Sequence, residues 1–396
     1  FPATIDLLTL ADPDGFIING AVAGERAGFA LASAGDINAD GVDDIVIGAR
    51  NSDASTGNFG SGAAYVVFGR LEGVSFPNPF LLSSLATGSG VDGFAMYGVN
   101  SNDNVGYSVA GGFDLNGDGI ADIAVGANGT DVNGNQSGEV FVIFGRDYSS
   151  ADPYPQTCSL PSLATCGAAM GVGLEGFIIR GVSADAYVGD AIAAAGDVND
   201  DGFDDLIIGA SHLGDGTSPG QAYIIFGKNT SVSGAFPAVF ELSTLAGGGG
   251  ASGFVLNGIG ADDRLGQAVG GAGDVNGDGI DDVIVGDPGA DNNGAGAGQA
   301  YVVFGRDTAT DGNFPGQFEL STLAGGGGAD GFVLNGRFTG SVGEGAGKQV
   351  GSAGDFNGDG VGDLFVSDKD ANDPDTFSRG EVYLVFGQDT DVVLSL

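Results

Sequence analysis

Short apolar runs rich in Val, Ile, Phe and Tyr punctuate this chain, each four to seven residues long and closed off by Gly or Asp. Runs of that length with those boundaries are strand signals, and no stretch sustains the 3.6-residue period of an amphipathic helix. The runs are copies of one another. "GFALASAGD" (28–36) returns as "GYSVAGGFD", "GDAIAAAGD", "GQAVGGAGD" and "GKQVGSAGD". "DDIVIGA" (43–49) returns as "ADIAVGA", "DDLIIGA", "DDVIVGD" and "GDLFVSD". "YVVFG" (65–69) and "GFIING" (15–20) likewise return four times each. Four short strands repeated five times predict an all-β chain of five four-stranded antiparallel sheets. One such sheet cannot bury both its faces alone, whereas sheets arranged radially cover each other, so the pattern predicts a five-bladed β-propeller. The small residues of "ASAG" and "GGAG" suit a crowded inner edge where blades converge.

The phase of the copies bears on closure. The chain opens on "GFIING" without its three predecessors and finishes on the other three elements without a final Gly-Phe element. Residues 15–20 are therefore expected as the outer strand of the last blade, built from 347–387, which makes 1–396 a single propeller with the N-terminal strand closing the last blade. A linker of the type "FELSTL" occurs at 240–245 and 318–323, with looser copies at 5–10 and 392–396. Both ends carry it, which leaves open a native chain extending beyond Leu396. Phe1, with no initiator Met or signal sequence, reads as the start of a mature or excised chain.

Between the first two strands of every copy lies the string D-x-N-x-D-G, its first Asp at 36, 114, 197, 274 and 355, intervals of 78, 83, 77 and 81 residues. "GDVNGDGIDD" (273–282) crowds Asp274, Asp278, Asp281 and Asp282 together with no Lys or Arg among them. Like charges about 4 Å apart repel by roughly 4 kcal/mol per pair at an effective dielectric near 20, so a folded loop of this kind calls for a cation. Positions one, three, five and nine offer side-chain oxygens: Asp36, Asn38, Asp40 and Asp44; Asp114, Asn116, Asp118 and Asp122; Asp197, Asn199, Asp201 and Asp205; Asp274, Asn276, Asp278 and Asp282; Asp355, Asn357, Asp359 and Asp363. Position seven offers a backbone carbonyl, from Val42, Ile120, Phe203, Ile280 and Val361. Calcium takes six to eight such oxygens, and Gly at position six permits the sharp turn. We therefore expect Ca2+, about one ion per repeat. An EF-hand begins the same way but needs Glu at position twelve between two helices. Here that position is Ile47, Val125, Ile208, Val285 or Val366, apolar and inside a strand. The competing reading is a plain Asn/Asp/Gly turn, which gives no reason for four ligand positions intact in five copies.

Composition sharpens this picture. Against 52 acidic residues stand 12 basic ones, for a formal charge of −40, while a hydrophobic content of 42% supplies a core. Such a surface repels phosphate, which excludes nucleic acid and anionic membrane as partners, and no apolar run is long enough to insert into a membrane. Cys158 and Cys166 lie among prolines at 153, 155 and 161 and are expected to form a local disulfide in an oxidising, extracellular setting.

The strand–loop–strand "VGYSVAGGFDLNGDGIADIAVGA" (105–127) resembles the FG-GAP repeat, the blade unit of the integrin α-subunit propeller. The resemblance runs over essentially the whole chain. It implies that the metal lies in the hairpin between the first two strands of a blade, with the loop residues above as ligands. Two departures stand out. Integrin heads are similar to seven-bladed rings of shorter repeats, and the fifth copy here loses the "GA" signature, reading "VSDKD" (366–370).

Other chemistry is sparse. His212, in "GASHLGDG", is the sole histidine and follows a strand, so a surface or hydrogen-bonding role is favoured; no nucleophile-elbow motif accompanies it. The glycine runs at 247–250 and 325–328 and "GEGAGKQV" (343–350) fail the phosphate-loop spacing. Glu25, Glu175 and Glu344 suit a glycosidase pair only if the fold brings two together, and otherwise read as solvated surface. Arg70, Arg146, Lys228 and Arg306 each follow "FG" at one repeat position and read as structural. Asn128, Asn135 and Asn229 head glycosylation sequons. Two function classes remain: a non-enzymatic extracellular adhesion, binding or assembly module, meeting a protein or glycan ligand or copies of itself, and a propeller enzyme or lectin acting on polysaccharide at the channel mouth. The residues that break the repeat are mainly Gly, Ala, Asn and Ser, which favours the module.

Overall fold

The computed structural model describes residues 7, 10, 14–53, 59–87, 90–147, 154–160, 175–212, 218–325, 328–337, 345–369, 371 and 380–389. The chain divides into two compact units, one of residues 1–112, 120–125 and 143–176, the other of 113–119, 126–142 and 177–396. Strands dominate; the helices described are single short turns such as Thr230–Ser233 and Thr308–Asp311.

In the first unit, Ala30–Gly35, Asp44–Ala49, Ala63–Val67 and Gly93–Tyr97 form an antiparallel sheet in that order. These are the four elements of the first copy. Tyr65, Val67 and Ala95 bury one face against Phe80, Leu82 and Leu85. The second unit holds three sheets built on the same plan. The third is Ala191–Gly196, Asp205–Ala210, Gln221–Ile225 and Gly253–Asn257; the fourth is Ala268–Gly273, Asp282–Asp287, Gln299–Val303 and Gly331–Asn335. The last is Val350–Gly354, Asp363–Asp368 and Glu381–Val385. Ile207, Ile224 and Phe254 share one apolar cluster with Val283, Val285 and Tyr301, while Ile284 and Val302 share another with Leu364 and Val366. The fourth sheet is thus buried on both faces by its neighbours, which is how a sheet made of "DDVIVGD" and "YVVFG" disposes of apolar side chains pointing both ways. The division into units falls within the second copy, whose strands include Val109–Phe113, Asp122–Ala127, Glu139–Ile143 and Gly176–Arg180.

The first strands of four copies break register just before the acidic loop, between Ser33 and Gly35, Ala194 and Gly196, Gly271 and Gly273, and Ser352 and Gly354. The second glycine of each pair has φ between 64° and 77°, the left-handed conformation that suits glycine at a bulge. This explains the "GD" spelling of those four copies: the bulge turns the strand end and delivers the Asp at position one.

One expectation needs correction. The "FELSTL" segments are not linkers. Val239–Glu241 and Gln317–Glu319 are strands followed by 3-10 turns, Leu242–Gly247 and Leu320–Gly325. They add a fifth strand, parallel to Gly176–Arg180 and Gly253–Asn257 respectively. Thr157–Ser159 pairs in the same way with Gly93–Tyr97, and Phe80–Leu81 with Ile18–Asn19. That rule also bears on residues 15–20. For these residues, expected on the edge of the last sheet, the pairing described is the parallel one of Ile18–Asn19 with Phe80–Leu81, and the last sheet has three strands among the described residues. A Gly-Phe strand has two edges, and the parallel partner from the following copy takes one of them.

Candidate metal loops

The acidic loops are built by their own side chains. Asp274 accepts hydrogen bonds from the backbone N–H of Gly277 (2.7 Å), Asp278 (3.0 Å) and Gly279 (2.8 Å). Asn276 Oδ1 accepts from Asp278 N–H at 3.0 Å, its Nδ2 donates to Asp278 Oδ2 at 2.8 Å, and Asp278 Oδ1 accepts from Ile280 N–H at 2.9 Å. The same ladder recurs on Asp36 and Asp40, on Asp197 and Asp201, and on Asp355 and Asp359. It recurs on Asp114 within residues 113–119. Position six is Gly41, Gly119, Gly202, Gly279 or Gly360, with φ of 86–92° in every copy, as the expected sharp turn requires. Asx-type turns therefore bring positions one, three and five onto the same concave stretch of backbone.

Position nine is different. Asp44, Asp205, Asp282 and Asp363 are buried, and each brackets two backbone groups. Asp282 accepts from Val275 N–H and from Gly305 N–H, both at 2.9 Å. Asp44 does the same with Ile37 and Gly69, Asp205 with Val198 and Gly227, and Asp363 with Phe356 and Gly387. Asp122 accepts from Gly145 N–H at 2.9 Å. The glycine in each case is that of "FG", so this carboxylate ties the loop to the third strand of its sheet. Burial, followed by the charges at positions five and one, pushes Asp44 and Asp282 up to about 7, the two N–H donors opposing the rise. Burial also raises Asp205 well above the ordinary range.

Each loop is wired to the next copy as well. The carbonyl at position two accepts a hydrogen bond from the residue after the next "FG": Ile37 from Arg146, Leu115 from Lys228, Val198 from Arg306 and Val275 from Gln388, at 2.9–3.0 Å. Thr230 and Thr308 add bonds from N–H and Oγ1 to the carbonyls of Asn116 and Asn199. Asn276 and Asp278 face a polar cavity of about 300 Å³ that Arg306, Asp311 and Asp330 also line. As a donor set the loops suit a hard cation, being all oxygen. Among the described residues no three Asp, Glu, His or Cys side chains are gathered within reach of one ion.

The cations after "FG" prove structural in a specific way. Arg70, Arg146, Lys228 and Arg306 lie 4.3–4.7 Å, within cation–π range, over rings later in the same copy: Phe76 at 4.5 Å, Tyr154 at 4.6 Å, Phe236 at 4.7 Å and Phe314 at 4.3 Å. Those rings stack on the Phe of a Gly-Phe strand: Phe76 on Phe16, Tyr154 on Phe94, Phe236 on Phe177 and Phe314 on Phe254, at 4.2–4.9 Å. Sequence reasoning missed this sandwich, although an aromatic–proline pair (76–77, 154–155, 236–237, 314–315) marks it four times.

The remaining candidates resolve plainly. Asp190, Ser211 and His212 do come together, but with the hydroxyl in the middle. Ser211 Oγ donates to Asp190 Oδ2 at 2.6 Å and lies 2.9 Å from His212 Nδ1, while Asn128 Nδ2 donates to Asp190 Oδ1 at 2.7 Å. A serine that is 1% exposed and gives its proton to a carboxylate is no nucleophile. Asn128 is buried in the same network and so is no open glycan acceptor. Glu25, read as solvated, is instead buried, accepting from Ser52 Oγ (3.3 Å), Tyr65 Oη (3.0 Å) and Ala21 N–H. Glu175 is exposed, and Glu344 lies outside the described residues. Cys158 is buried and disulfide-bonded; its expected partner, Cys166, lies outside the described residues. No described helix is long and apolar enough to cross a membrane.

Comparison with known proteins agrees with this geometry. The FG-GAP repeat matches residues 27–67, 105–143, 188–225 and 265–303. Integrin alpha pat-2 of Caenorhabditis briggsae is 36% identical over 102 residues, covering 26% of this chain and 7% of that protein. Integrin alpha-E of Mus musculus is 37% identical over 103 residues, 26% of this chain and 8% of its own length. Phosphatidylinositol-glycan-specific phospholipase D of Dictyostelium discoideum is 26% identical over 209 residues, 50% of this chain and 19% of its own. The chain thus spans less than a fifth of the length of these relatives. Each matched interval starts at the first strand of a copy and runs through its acidic loop to the "FG" strand, so four of the five copies match the FG-GAP repeat and are similar to repeats of integrin α-subunits.

Proposed function

We propose that this chain is a calcium-stabilised extracellular propeller that serves in adhesion, binding or assembly and catalyses no reaction. One observation carries the reading: a loop with one all-oxygen donor set recurs in every copy, and each loop is bonded both to its own third strand and, in four copies, to the copy that follows. Bound calcium supplies only positive charge and oxygen coordination. Asp274, Asn276, Asp278, Asp282 and the Ile280 carbonyl would hold it in the fourth copy, with the corresponding residues named above in the other four. In this reading the chain's residues position strands, and a protein is the principal ligand. The disulfide at Cys158 supports an oxidising compartment.

The reading keeps 1–396 as one propeller in which residues 15–20 complete the last blade. The support is the strand rule: every other Gly-Phe strand whose two edges are described has an antiparallel "FG" strand on one edge and a parallel strand on the other. Metal analysis after exhaustive dialysis in calcium buffer tests the proposal. About five calcium ions per chain are expected, falling by one in Asp278→Ala; a calcium-free protein would overturn it.

A further inference from the structure

Residues 306–323 form a strap that joins two places in the third copy. At one end the strap meets the acidic loop. Arg306 N–H donates to the Val198 carbonyl at 3.0 Å, and Thr308 donates from both N–H and Oγ1 to the Asn199 carbonyl at 3.1 Å. At the other end it holds the outer edge of the sheet. Phe314 stacks on Phe254 at 4.3 Å, Gln317–Glu319 pairs in parallel with Val255–Asn257, and Val255 N–H donates to the Gly316 carbonyl at 3.1 Å. Between the ends lie the turn Thr308–Asp311, capped by Asp307, and the stack of Arg306 on Phe314. The second copy repeats the plan with residues 228–245. Lys228 and Thr230 donate to the carbonyls of Leu115 and Asn116, Phe236 stacks on Phe177, and Ile178 N–H donates to the Ala238 carbonyl at 3.1 Å.

Asn199 links the two ends. Its side chain is position three of the donor set, while its main-chain carbonyl holds Thr308. Without a cation the charges of Asp197 and Asp201 repel across the loop. A loop that opens to relieve them carries the Val198 and Asn199 carbonyls away from the strap.

We propose that each strap makes the outer edge of a sheet answer to that sheet's acidic loop. An occupied loop pins the strap on Gly253–Asn257 or Gly176–Arg180, and an empty loop releases it. The inference rests on the calcium reading above and adds a device to it, a calcium-gated strand edge. Control follows space and not sequence: the loop of the third copy governs residues 306–323, with 109 residues between Asn199 and Thr308, and does not govern 228–245, which leave its own third strand. A released strap uncovers main-chain donors and acceptors beside Phe254 or Phe177, which makes an edge able to pair. Coupling is reciprocal, so a docked strap also tightens calcium at its loop.

Hydrogen exchange of the full chain, in calcium and in chelator, reads the device at the Val255 and Ile178 amides. Removing calcium is expected to speed both about 10- to 100-fold, the change in opening that three hydrogen bonds of ordinary net strength imply. Asp201→Ala, which disables the loop of the third copy, is expected to abolish the calcium response of Val255 and to keep that of Ile178. Asp118→Ala is expected to do the reverse. Thr308→Val keeps the calcium count and is expected to shrink the response of Val255 about 5-fold, the share of one hydrogen bond. The proposal falls if calcium binds, and the count drops by one in Asp201→Ala, yet Val255 exchanges alike with and without the ion. It also falls if Asp201→Ala alters both amides equally. A chain that binds no calcium at all would overturn the function proposed above together with this inference.

Discussion

The third and fourth sheets are built from the same four elements in the same order, yet they differ at two places. Where the third sheet ends its second strand with Ala210, the fourth has Asp287, fully buried with no hydrogen-bond partner among the described residues on either carboxylate oxygen. Where the third sheet carries a parallel fifth strand and a cation–aromatic–aromatic sandwich, the fourth, among the described residues, ends at Gly331–Asn335. The comparison separates what a repeat specifies locally from what it borrows. Alternation and boundary residues specify the strands, and these come out alike. Burial depends on what the following copy sends back, so "GFVLN" is buried in one sheet and half-buried in the other.

What the two sheets share is the acidic loop, and the largest effect tests that likeness. If each loop holds calcium, free calcium at about 100 times the dissociation constant adds roughly 2.7 kcal/mol per site, provided the unfolded chain does not bind it. Summed over the copies this rivals the whole stability of an ordinary domain, on the order of 5–15 kcal/mol. A chelator is therefore expected to lower the melting temperature sharply and to speed exchange in Asp205–Ala210 and Asp282–Asp287 alike, with calcium restoring both. Unchanged melting would break the calcium reading; loss in one sheet alone would break the equivalence of the loops.

The next effect belongs to the fourth sheet only. Burial, and then the charge of Asp263, raises Asp287 from 3.8 to about 8. Below pH 4 the group is protonated whether folded or not, and it costs nothing electrostatically. From about pH 4 to 8 the unfolded chain ionises while the folded one resists, so stability falls with rising pH by up to ~1.4 kcal/mol per unit. The loss is complete once pH passes about 8. Asp287→Ala, the residue that the third sheet has at this place, is expected to flatten that slope and to stabilise the protein at pH 8.5 by a few kcal/mol. Parallel urea titrations of both proteins at pH 5 and 8.5 read the difference. Equal slopes would mean that Asp287 is not held neutral.

Much of this organisation was legible in the chain. Five-fold copying made the strands and loops plain, because each signal could be checked against four others, and the loop spacing pointed to the same residues that the backbone bonds now gather. Four features were not legible, for physical reasons. A three-residue strand such as Gln317–Glu319 is too short to show period two, and its "FELSTL" context reads as a connection. The aromatic–proline pair looks like a turn until the ring it stacks on is in place. Glu25 was read as solvated because charge alone says nothing of the Ser52 and Tyr65 hydroxyls that the fold brings to it. The position-nine aspartates were read only as ligands; their bracket on Gly69, Gly227 and Gly305 spans over twenty residues and has no local signature.

The sandwich predicts a difference between identical residues. Phe254 is 0% exposed and packs on Phe226, Phe314 and Phe318. Phe254→Ala is expected to cost about 3–5 kcal/mol, as buried Phe truncations do. Phe332→Ala removes a half-buried ring beside an existing cavity, so it leaves less new void and is expected to cost less than about 2 kcal/mol. Denaturant midpoints of the two variants provide the check. Equal losses would show that the cavity at Phe332 is filled in solution.

The smallest effect isolates the cation. Arg306 lies 4.3 Å over the Phe314 ring and pairs with the exposed Asp330 at 3.1 Å, whereas Gln388 holds the corresponding place in the last copy. Arg306→Gln therefore makes the third sheet's sandwich resemble its absent counterpart while keeping the backbone N–H that bonds the Val198 carbonyl. A cation over an aromatic face contributes about 0.5–1 kcal/mol at an exposed site, and the surface pair with Asp330 at most about as much again. The reverse change, Gln388→Arg, puts a cation where the described residues offer no stacked ring and is expected to leave stability within about 0.5 kcal/mol, the usual range for surface substitutions. Salt separates the contributions, because screening weakens the pair with Asp330 more than the stacked contact. If Arg306→Gln cost nothing at low salt, the cation would be incidental and the ring stack alone would hold the parallel strand. If Gln388→Arg stabilised the chain as much as Arg306→Gln destabilised it, a ring from the chain itself would have to lie over Phe332, and the contrast between the two sheets would disappear.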